Sequence, residues 1–154
     1  MIEKPEITET MAQASAVIHV TVPRDQIREV MGPGYEEVMA AVKAQGVGPA
    51  GPWYTRHFRM DPEVFDFEIG VPVSGTVEPA GRVAPGERPG GKVVRTVYHG
   101  GYEGLPGGWG EFEAWIEAQG LETGPGLWEI YAVGPESSED SVDYRTELFR
   151  PMKN

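Results

Sequence analysis

Cysteine is absent from the 154-residue sequence, which excludes disulfides, thiolate metal sites and cysteine nucleophiles. Long apolar runs are absent as well, and none approaches the roughly 18 residues of a membrane-spanning helix. The N-terminus has no basic segment followed by an apolar core, which is the pattern of a secretory signal. We therefore expect a cytoplasmic protein without a membrane partner.

Basic residues are scarce, with 13 Lys and Arg against 24 Asp and Glu and a formal net charge of −11. An acidic chain repels phosphate backbones, so we expect no direct nucleic-acid binding. The charge favours cationic small molecules or basic protein surfaces; the alternative is that it only keeps the protein soluble. The three histidines, His19, His57 and His99, lack the spacing of metal ligands. We accordingly predict neither a metal site nor a cofactor.

Glycine and proline are abundant, with 21 and 14 residues, and 40% of the residues are apolar. This composition is typical of a globular domain with many short strands and turns. Apolar residues at helical spacing predict one helical region over 23–46, interrupted at Gly32-Pro33-Gly34, and a second over 107–120. Alternating apolar residues predict strands at the end of 7–22 and over 52–60, 64–73, 92–100, 127–133 and 142–150, with 74–91 as a connector that has room for one short strand.

Two features occur twice in the chain. "AQG" ends both helical regions, and each half has a strand in which a glutamate precedes a proline by four residues: Glu68 and Pro72, then Glu147 and Pro151. The repetition predicts a single α+β domain made of duplicated β-α-β-β units, about 1–75 and 80–154. We expect an antiparallel sheet with both helices on one face.

Side chains alternate across a strand, so the sequence divides each strand into two faces. Phe65, Phe67, Ile69 and Val71 form an apolar face that should pack on the helices. The remaining positions mix Trp, Tyr, Phe, His and Glu, which predicts a cleft for a flat, apolar and often cationic ligand on the other face. The alternative is a partly wet sheet surface on which Glu147 pairs with Arg145 of its own strand.

Six segments in order resemble the GyrI-like small-molecule-binding domain, the effector-binding domain of AraC-type and MerR-type multidrug regulators. They are "GPWYTRHF" at 51–58, "FEIGVPV" at 67–73, "PGGKVVRTVYHGGYEGL" at 89–105, "AWIEAQGL" at 114–121, "WEIYAVGP" at 128–135 and "RTELFRPM" at 145–152. The resemblance implies two SH2-like β-α-β-β units related by a pseudo-twofold axis, with a ligand cleft on the side away from the helices. The chain shows no helix-turn-helix region and no coiled-coil arm, so we expect a stand-alone member.

The resemblance also implies site residues, because family members often place acidic side chains in the cleft from the segments "EIY" and "TEL". His57 stands where a tyrosine is usual in this family. Two further candidates come from their positions in the predicted strand and helix: Glu68 and Trp109. The predicted ligand-binding residues are Glu147, Glu129, Tyr131, Phe149, Trp53, His57, Trp109 and Glu68.

Three functions follow as expectations, and the sequence leaves the oligomeric state open. The first is a binding protein that captures lipophilic aromatic, often cationic, molecules. The second is a hydrolase of cyclopropane-bearing genotoxins, in which Glu147 positions water while Tyr131, predicted to share its face, polarises a carbonyl. The third is a gyrase-inhibitor-type protein that acts through protein interaction.

Overall fold

The computed structural model describes residues 2–60, 62–135 and 140–153, without the side chains of residues 59 and 60. The described chain is of the predicted α+β class, with two α-helices and an antiparallel arrangement of strands. It has eight strands, one of which, over residues 6–10, was not predicted as a separate strand. The strands are β1 (Glu6–Thr10), β2 (Gln13–Pro23), β3 (Tyr54–Met60), β4 (Val64–Pro72), β5 (Ala84–Arg88), β6 (Gly91–His99), β7 (Leu127–Val133) and β8 (Arg145–Pro151), and the helices are α1 (Ile27–Gln45) and α2 (Leu105–Ala118).

The chain divides into two compact units. The first unit runs from Met11 to Gly90, and the second combines the chain up to Thr10 with the chain from Gly91 onward. Each unit therefore holds one β-α-β-β segment and one further edge strand. These bounds differ from the repeats expected from the sequence, because β5 belongs with the first unit and β1 with the second.

Each unit contains a four-stranded antiparallel sheet, in the order β3-β4-β2-β5 in the first and β7-β8-β6-β1 in the second. In the first unit, β2 and β4 pack against α1. In the second, β6 and β8 pack against α2. The buried residues of the first core are Ala16, Ile18, Val20, Val38, Val42, Phe67, Ile69, Val71, Val73, Val77 and Val83. Those of the second are Val94, Tyr98, Phe112, Ile116 and Leu148.

Both helices end at the glycines that the sequence indicated. Gly46 and Gly120 have the same left-handed backbone, each with φ of 67°, a conformation that glycine adopts without steric cost. The predicted interruption at Gly32-Pro33-Gly34 is wrong, because α1 runs through it without a break. Burial of Val38 and Val42 on the sheet holds the helix together across Pro33. No helix among the described residues is both long and apolar enough to cross a membrane.

The predicted apolar face of β4 is confirmed. Phe67, Ile69 and Val71 are fully buried in the core under α1, and Phe65 packs against it. The helix lies close to this face at Gly34, where a Cβ atom would collide with the end of the Ile69 side chain. In the first unit, the alternating apolar residues of β4 therefore mark the face of the sheet on which the helix packs.

Candidate functional site

Glu129 and Tyr131 lie on the helix-bearing face of the second unit. In the β7–β8 pairing Glu129 is opposite Leu148, and Tyr131 is opposite Thr146. Residues directly opposite each other in an antiparallel pair share a face. Leu148 is fully buried in the core under α2, together with Phe112 of that helix. The two β7 side chains therefore project towards the side on which α2 packs.

The Glu129 carboxylate is buried and held by two aromatic donors. Its residue exposure is 8%. The indole Nε1 of Trp109 donates to Oε2 at 2.5 Å, and the Tyr131 hydroxyl donates to Oε1 at 2.7 Å. Both of these donors are neutral groups, and they hold the carboxylate in one orientation. Trp109 comes from the first half of α2, so helix and strand together build this site.

Further aromatic rings surround the Tyr131 side of the site. The Tyr102 ring meets the Tyr131 ring edge-on, with centroids 5.9 Å apart, and the Tyr144 ring lies 5.3 Å from Tyr102. Thr146, opposite Tyr131, is fully buried. A negatively charged oxygen pair inside an aromatic wall suits a ligand that is lipophilic and positively charged.

Glu147 lies on the opposite face of the same sheet. It is paired with Ile130 of β7 and Val97 of β6. The Arg95 guanidinium donates to its Oε1 from Nη2 at 2.7 Å and from Nε at 3.1 Å. Arg95, rather than a neighbour on its own strand, is therefore the partner of Glu147. This carboxylate therefore already has a cationic hydrogen-bond partner.

Phe149 shares the face of Glu147 and is part of the packed sheet. Its ring stacks on that of Trp128, with centroids 5.5 Å apart and planes 13° from parallel. Both residues are 3% exposed. The two buried rings pack on each other on the face of the second sheet away from α2.

The prediction that Glu147 and Tyr131 share a face is wrong. Alternation along one strand is regular, but the register between two strands sets which faces coincide, and a shift of one residue reverses them. A β-bulge between Tyr131 and Val133 also alters the phase of β7 near the turn. The register places Ile130, not Tyr131, opposite Glu147.

The predicted site residues consequently do not lie together on one face away from the helices. Within each unit some lie on the helix-bearing face and some on the other. On the helix-bearing faces are Glu129, Tyr131 and Trp109 in the second unit, and Trp53 and His57 in the first. On the opposite faces are Glu147 and Phe149 in the second unit and Glu68 in the first.

His57 is buried on the helix-bearing face of the first unit. It is 8% exposed, lies opposite Phe67 on β4 and stacks on the Phe67 ring with centroids 5.0 Å apart. Burial, helped by the positive charge of Arg24, lowers the pKa of His57 to about 4. The ring is therefore neutral at pH 7. Trp53 packs against the same core, and its ring lies 4.8 Å from that of Tyr35 on α1.

Glu68 occupies the opposite face of the first unit, between Arg56 and His19 on the neighbouring strands. Burial raises its pKa, while the charges of Arg56 and His19 act in the other direction. The nearby His19 bonds Asp66 at 2.5 Å. No group of three or more metal-binding side chains occurs among the residues that the structure describes.

Sequence reasoning missed three residues that the structure brings into these sites: Tyr35, Arg95 and Tyr102. A signal for Tyr35 was present, because Tyr35 and Trp109 stand at the same distance before the two helix-ending glycines. No comparable signal identified Arg95, because its contact with Glu147 depends on the pairing of β6 with β8.

The solved structures that are similar to this chain include the following three. EcmrR in its DNA complex gives a TM-score of 0.84 at 20% identity, covering 98% of this chain and 57% of that chain. SAV2435 bound to tetraphenylphosphonium gives 0.66 at 12% identity, covering 99% and 95%. A hydrolase from Listeria innocua gives 0.67 at 14% identity, covering 97% and 92%. At these identities the likeness shows the fold.

The comparison with curated proteins gives no match. The comparison with family models does give one, and it covers residues 3–153. The matched region includes both units with their helices, and it includes every predicted site residue. The chain belongs to the family of the GyrI-like small molecule binding domain.

Proposed function

We propose that this protein binds lipophilic aromatic, often cationic, small molecules on the helix-bearing face of the second unit, with Glu129 as the charged partner. The observation that carries the proposal is a carboxylate, 8% exposed, that is held by Trp109 and Tyr131. A cation interacts more strongly with a carboxylate in an apolar setting than with one in water.

Two comparisons support this choice. The family is one of small-molecule-binding domains, and one structural neighbour, SAV2435, is bound to the lipophilic cation tetraphenylphosphonium. The hydrogen bonds that are seen at the two carboxylates favour Glu129 over Glu147. Arg95 already provides Glu147 with a cationic hydrogen-bond partner, whereas the Trp109 and Tyr131 donors to Glu129 are neutral.

The test is titration of the full chain with tetraphenylphosphonium by calorimetry and by tryptophan fluorescence, to which Trp109 contributes. Glu129→Gln keeps the size of the side chain and removes its charge. We expect it to weaken binding by about 1–3 kcal/mol, the usual effect of removing the charge from a buried hydrogen-bonded group.

Glu147→Gln is the matched control, because it is the same substitution on the neighbouring strand but on the opposite face. We expect it to leave the affinity unchanged. Equal affinity of the wild type and Glu129→Gln for tetraphenylphosphonium, with both proteins folded, would overturn the proposal. Weakening by Glu147→Gln alone would return the site to the face predicted from the sequence.

A second candidate function is hydrolysis of a strained cyclopropane compound, which the 2.7 Å bond between the Tyr131 hydroxyl and Glu129 favours. One carboxylate next to one phenol supplies a base for water and, once the phenol O–H turns from Glu129 to the substrate, a donor for a carbonyl. Water would add across the broken ring bond, its hydroxyl going to one carbon and its proton to the carbon beside the carbonyl.

Incubation with a spirocyclopropane compound tests this second function. We expect a product one water heavier by mass spectrometry, and a loss of rate of about 10²–10⁴-fold in Glu129→Gln. Tyr131→Phe should lower the rate by a smaller factor, and Glu147→Gln should leave it unchanged. Absence of product above the buffer rate, in a protein that still binds the compound, leaves binding as the function.

A further inference from the structure

The first unit has a row of charged side chains on the face of its sheet away from α1. Glu68 lies at the centre of the row, because it pairs with Arg56 of β3 on one side and with His19 of β2 on the other. Residues directly opposite each other in an antiparallel pair share a face, so the three side chains project to the same side. We call Arg56, Glu68 and His19 the first-unit charged row.

His19 does not bond Glu68, although the two residues are directly opposite. Its Nε2 instead lies 2.5 Å from Oδ1 of Asp66, and the Thr21 hydroxyl donates to the same oxygen at 3.2 Å. The His19 ring also stacks on that of Phe58, with centroids 5.3 Å apart and planes 29° from parallel. Asp66 and Phe58 therefore hold the imidazole in contacts that do not involve Glu68.

Arg56 is held in a comparable way. Its guanidinium lies over the Phe58 ring, 4.8 Å from the ring centroid. Among the residues that the structure describes, the side chains of Arg56 and Glu68 make no hydrogen bond and no ion pair, with each other or with any other residue. A guanidinium with its donors and a carboxylate with its acceptors thus stand on neighbouring strands, and both are open to a ligand.

The charges of the row select the class of this ligand. Glu68 is half-buried, and a carboxylate that is partly removed from water attracts a cation more strongly than one in water. The Arg56 guanidinium repels a ligand that carries positive charge alone, and it matches the geometry of a carboxylate. A ligand with an ammonium and a carboxylate close together satisfies both side chains.

We infer that the first-unit charged row binds a small zwitterion of the α-amino acid class, with its ammonium on Glu68 and its carboxylate on Arg56. Asp66 is a positioning residue, since its bond to His19 keeps the imidazole from bonding Glu68. The ligand differs in chemical class from the lipophilic cation proposed for the Glu129 site. The row shares no residue with that site, so the inference does not depend on the proposed function.

The probe is free glycine, which has both charged groups and no side chain. Acetate and methylammonium are the matched control compounds, because each carries one of the two charges. We expect glycine to shift the backbone amide signals of Arg56 and Glu68 in ¹H–¹⁵N spectra of the full chain. Each control compound should bind at least about 3-fold more weakly, since it makes one charge-assisted contact where glycine makes two.

Glu68→Gln and Arg56→Gln each remove one charge from the row. We expect each variant to weaken glycine binding about 3- to 10-fold, the effect of losing one charge-assisted hydrogen bond at a partly exposed site. Glu147→Gln is the control variant, because it changes the duplicated glutamate of the second unit, which is bonded to Arg95. It should leave the affinity for glycine unchanged.

Three results would overturn the inference. The first is the absence of any shift at residues 56 and 68 at the highest soluble glycine concentration. The second is binding of acetate or methylammonium as tight as that of glycine. The third is an affinity for glycine that Glu68→Gln leaves unaltered, or that Glu147→Gln weakens equally. The wild-type titrations decide the matter even where a variant folds poorly, and they use no residue on which the tetraphenylphosphonium test depends.

Discussion

The two units share a backbone plan but differ in the chemistry placed on it. Both have the same strand order, a bulge at the same place and a helix that ends at a left-handed glycine. On the helix-bearing face, however, Glu129 and Tyr131 of the second unit correspond to Thr55 and His57 of the first. The duplicated backbone fixes where two side chains point, and the residues at those positions then decide the charge of each site.

On the faces away from the helices, the two units have side chains of different size at equivalent positions. In the second unit Trp128 is opposite Phe149, and the two rings stack. In the first unit Tyr54 is opposite Gly70, so one ring lies over a bare backbone position. The same pair of positions is therefore filled by two large rings in one unit and by one ring in the other.

Substitutions at this pair should have the largest effect on stability. Phe149→Ala leaves a cavity beside Trp128, and we expect a loss of about 3–5 kcal/mol in the free energy of unfolding. Gly70→Ala acts by crowding instead. An added Cβ would lie 2.5–2.7 Å from ring atoms of the fully buried Tyr54, so we expect a loss of about 1–3 kcal/mol. Urea unfolding measures both.

Gly32→Ala in α1 is a suitable control for the glycine change, because a Cβ there meets nothing within 4 Å. We expect it to be neutral or slightly stabilising. If Gly70→Ala leaves the free energy of unfolding unchanged, the Tyr54 ring can move aside. Close contact with that ring would then not be the reason for a glycine at position 70.

The pH dependence of stability should separate His57 from its equivalent Tyr131. The pKa of His57 is about 4 in the folded protein against about 6.5 in an unfolded chain. As pH falls below 6.5 the unfolded chain takes up a proton first, so stability is full above that pH and is lost towards pH 4. Between pH 7 and 5 this should cost about 2 kcal/mol.

His57→Phe removes this loss, so the unfolding free energy of the variant should fall less between pH 7 and 5 than that of the wild type. Tyr131→Phe changes the equivalent residue but leaves the imidazole in place, so it should keep the loss of stability that His57 causes. Identical slopes for the wild type and His57→Phe would show that His57 is not held neutral by burial.

Much of the fold was predictable from local patterns. The apolar alternation of β4, the helical spacing of Val38 and Val42, and the glycine after each helix are properties of short segments. The break at Pro33 was predicted for the same local reason and was wrong, because packing of the later turns on the sheet outweighs the lost hydrogen bond.

The candidate site was less predictable because it depends on register. Alternation correctly separates Glu147 from Thr146 within β8, but it does not say which of them faces Tyr131 of β7. That depends on the turn and on the bulge after Tyr131. The Arg95–Glu147 contact has the same origin, since it joins two strands that are distant in sequence. The family resemblance identified Glu129 and Tyr131, and alternation along β7 puts them on one face. The register then shows that this is the helix-bearing face.

The smallest expected difference concerns the duplicated glutamates. Glu147 is hydrogen-bonded by Arg95, so Glu147→Gln should cost about 1 kcal/mol at pH 7 after allowing for partial exposure of the pair. Burial raises the pKa of Glu68, so its charged form is disfavoured at its site. Glu68→Gln should therefore leave stability unchanged or raise it by up to about 0.5 kcal/mol.

A double-mutant cycle of Glu147→Gln with Arg95→Gln would isolate the contribution of the Glu147–Arg95 pair to the free energy of unfolding. Equal losses for both glutamates in urea unfolding would mean that duplication preserved one role for them, contrary to the different partners seen in the two units.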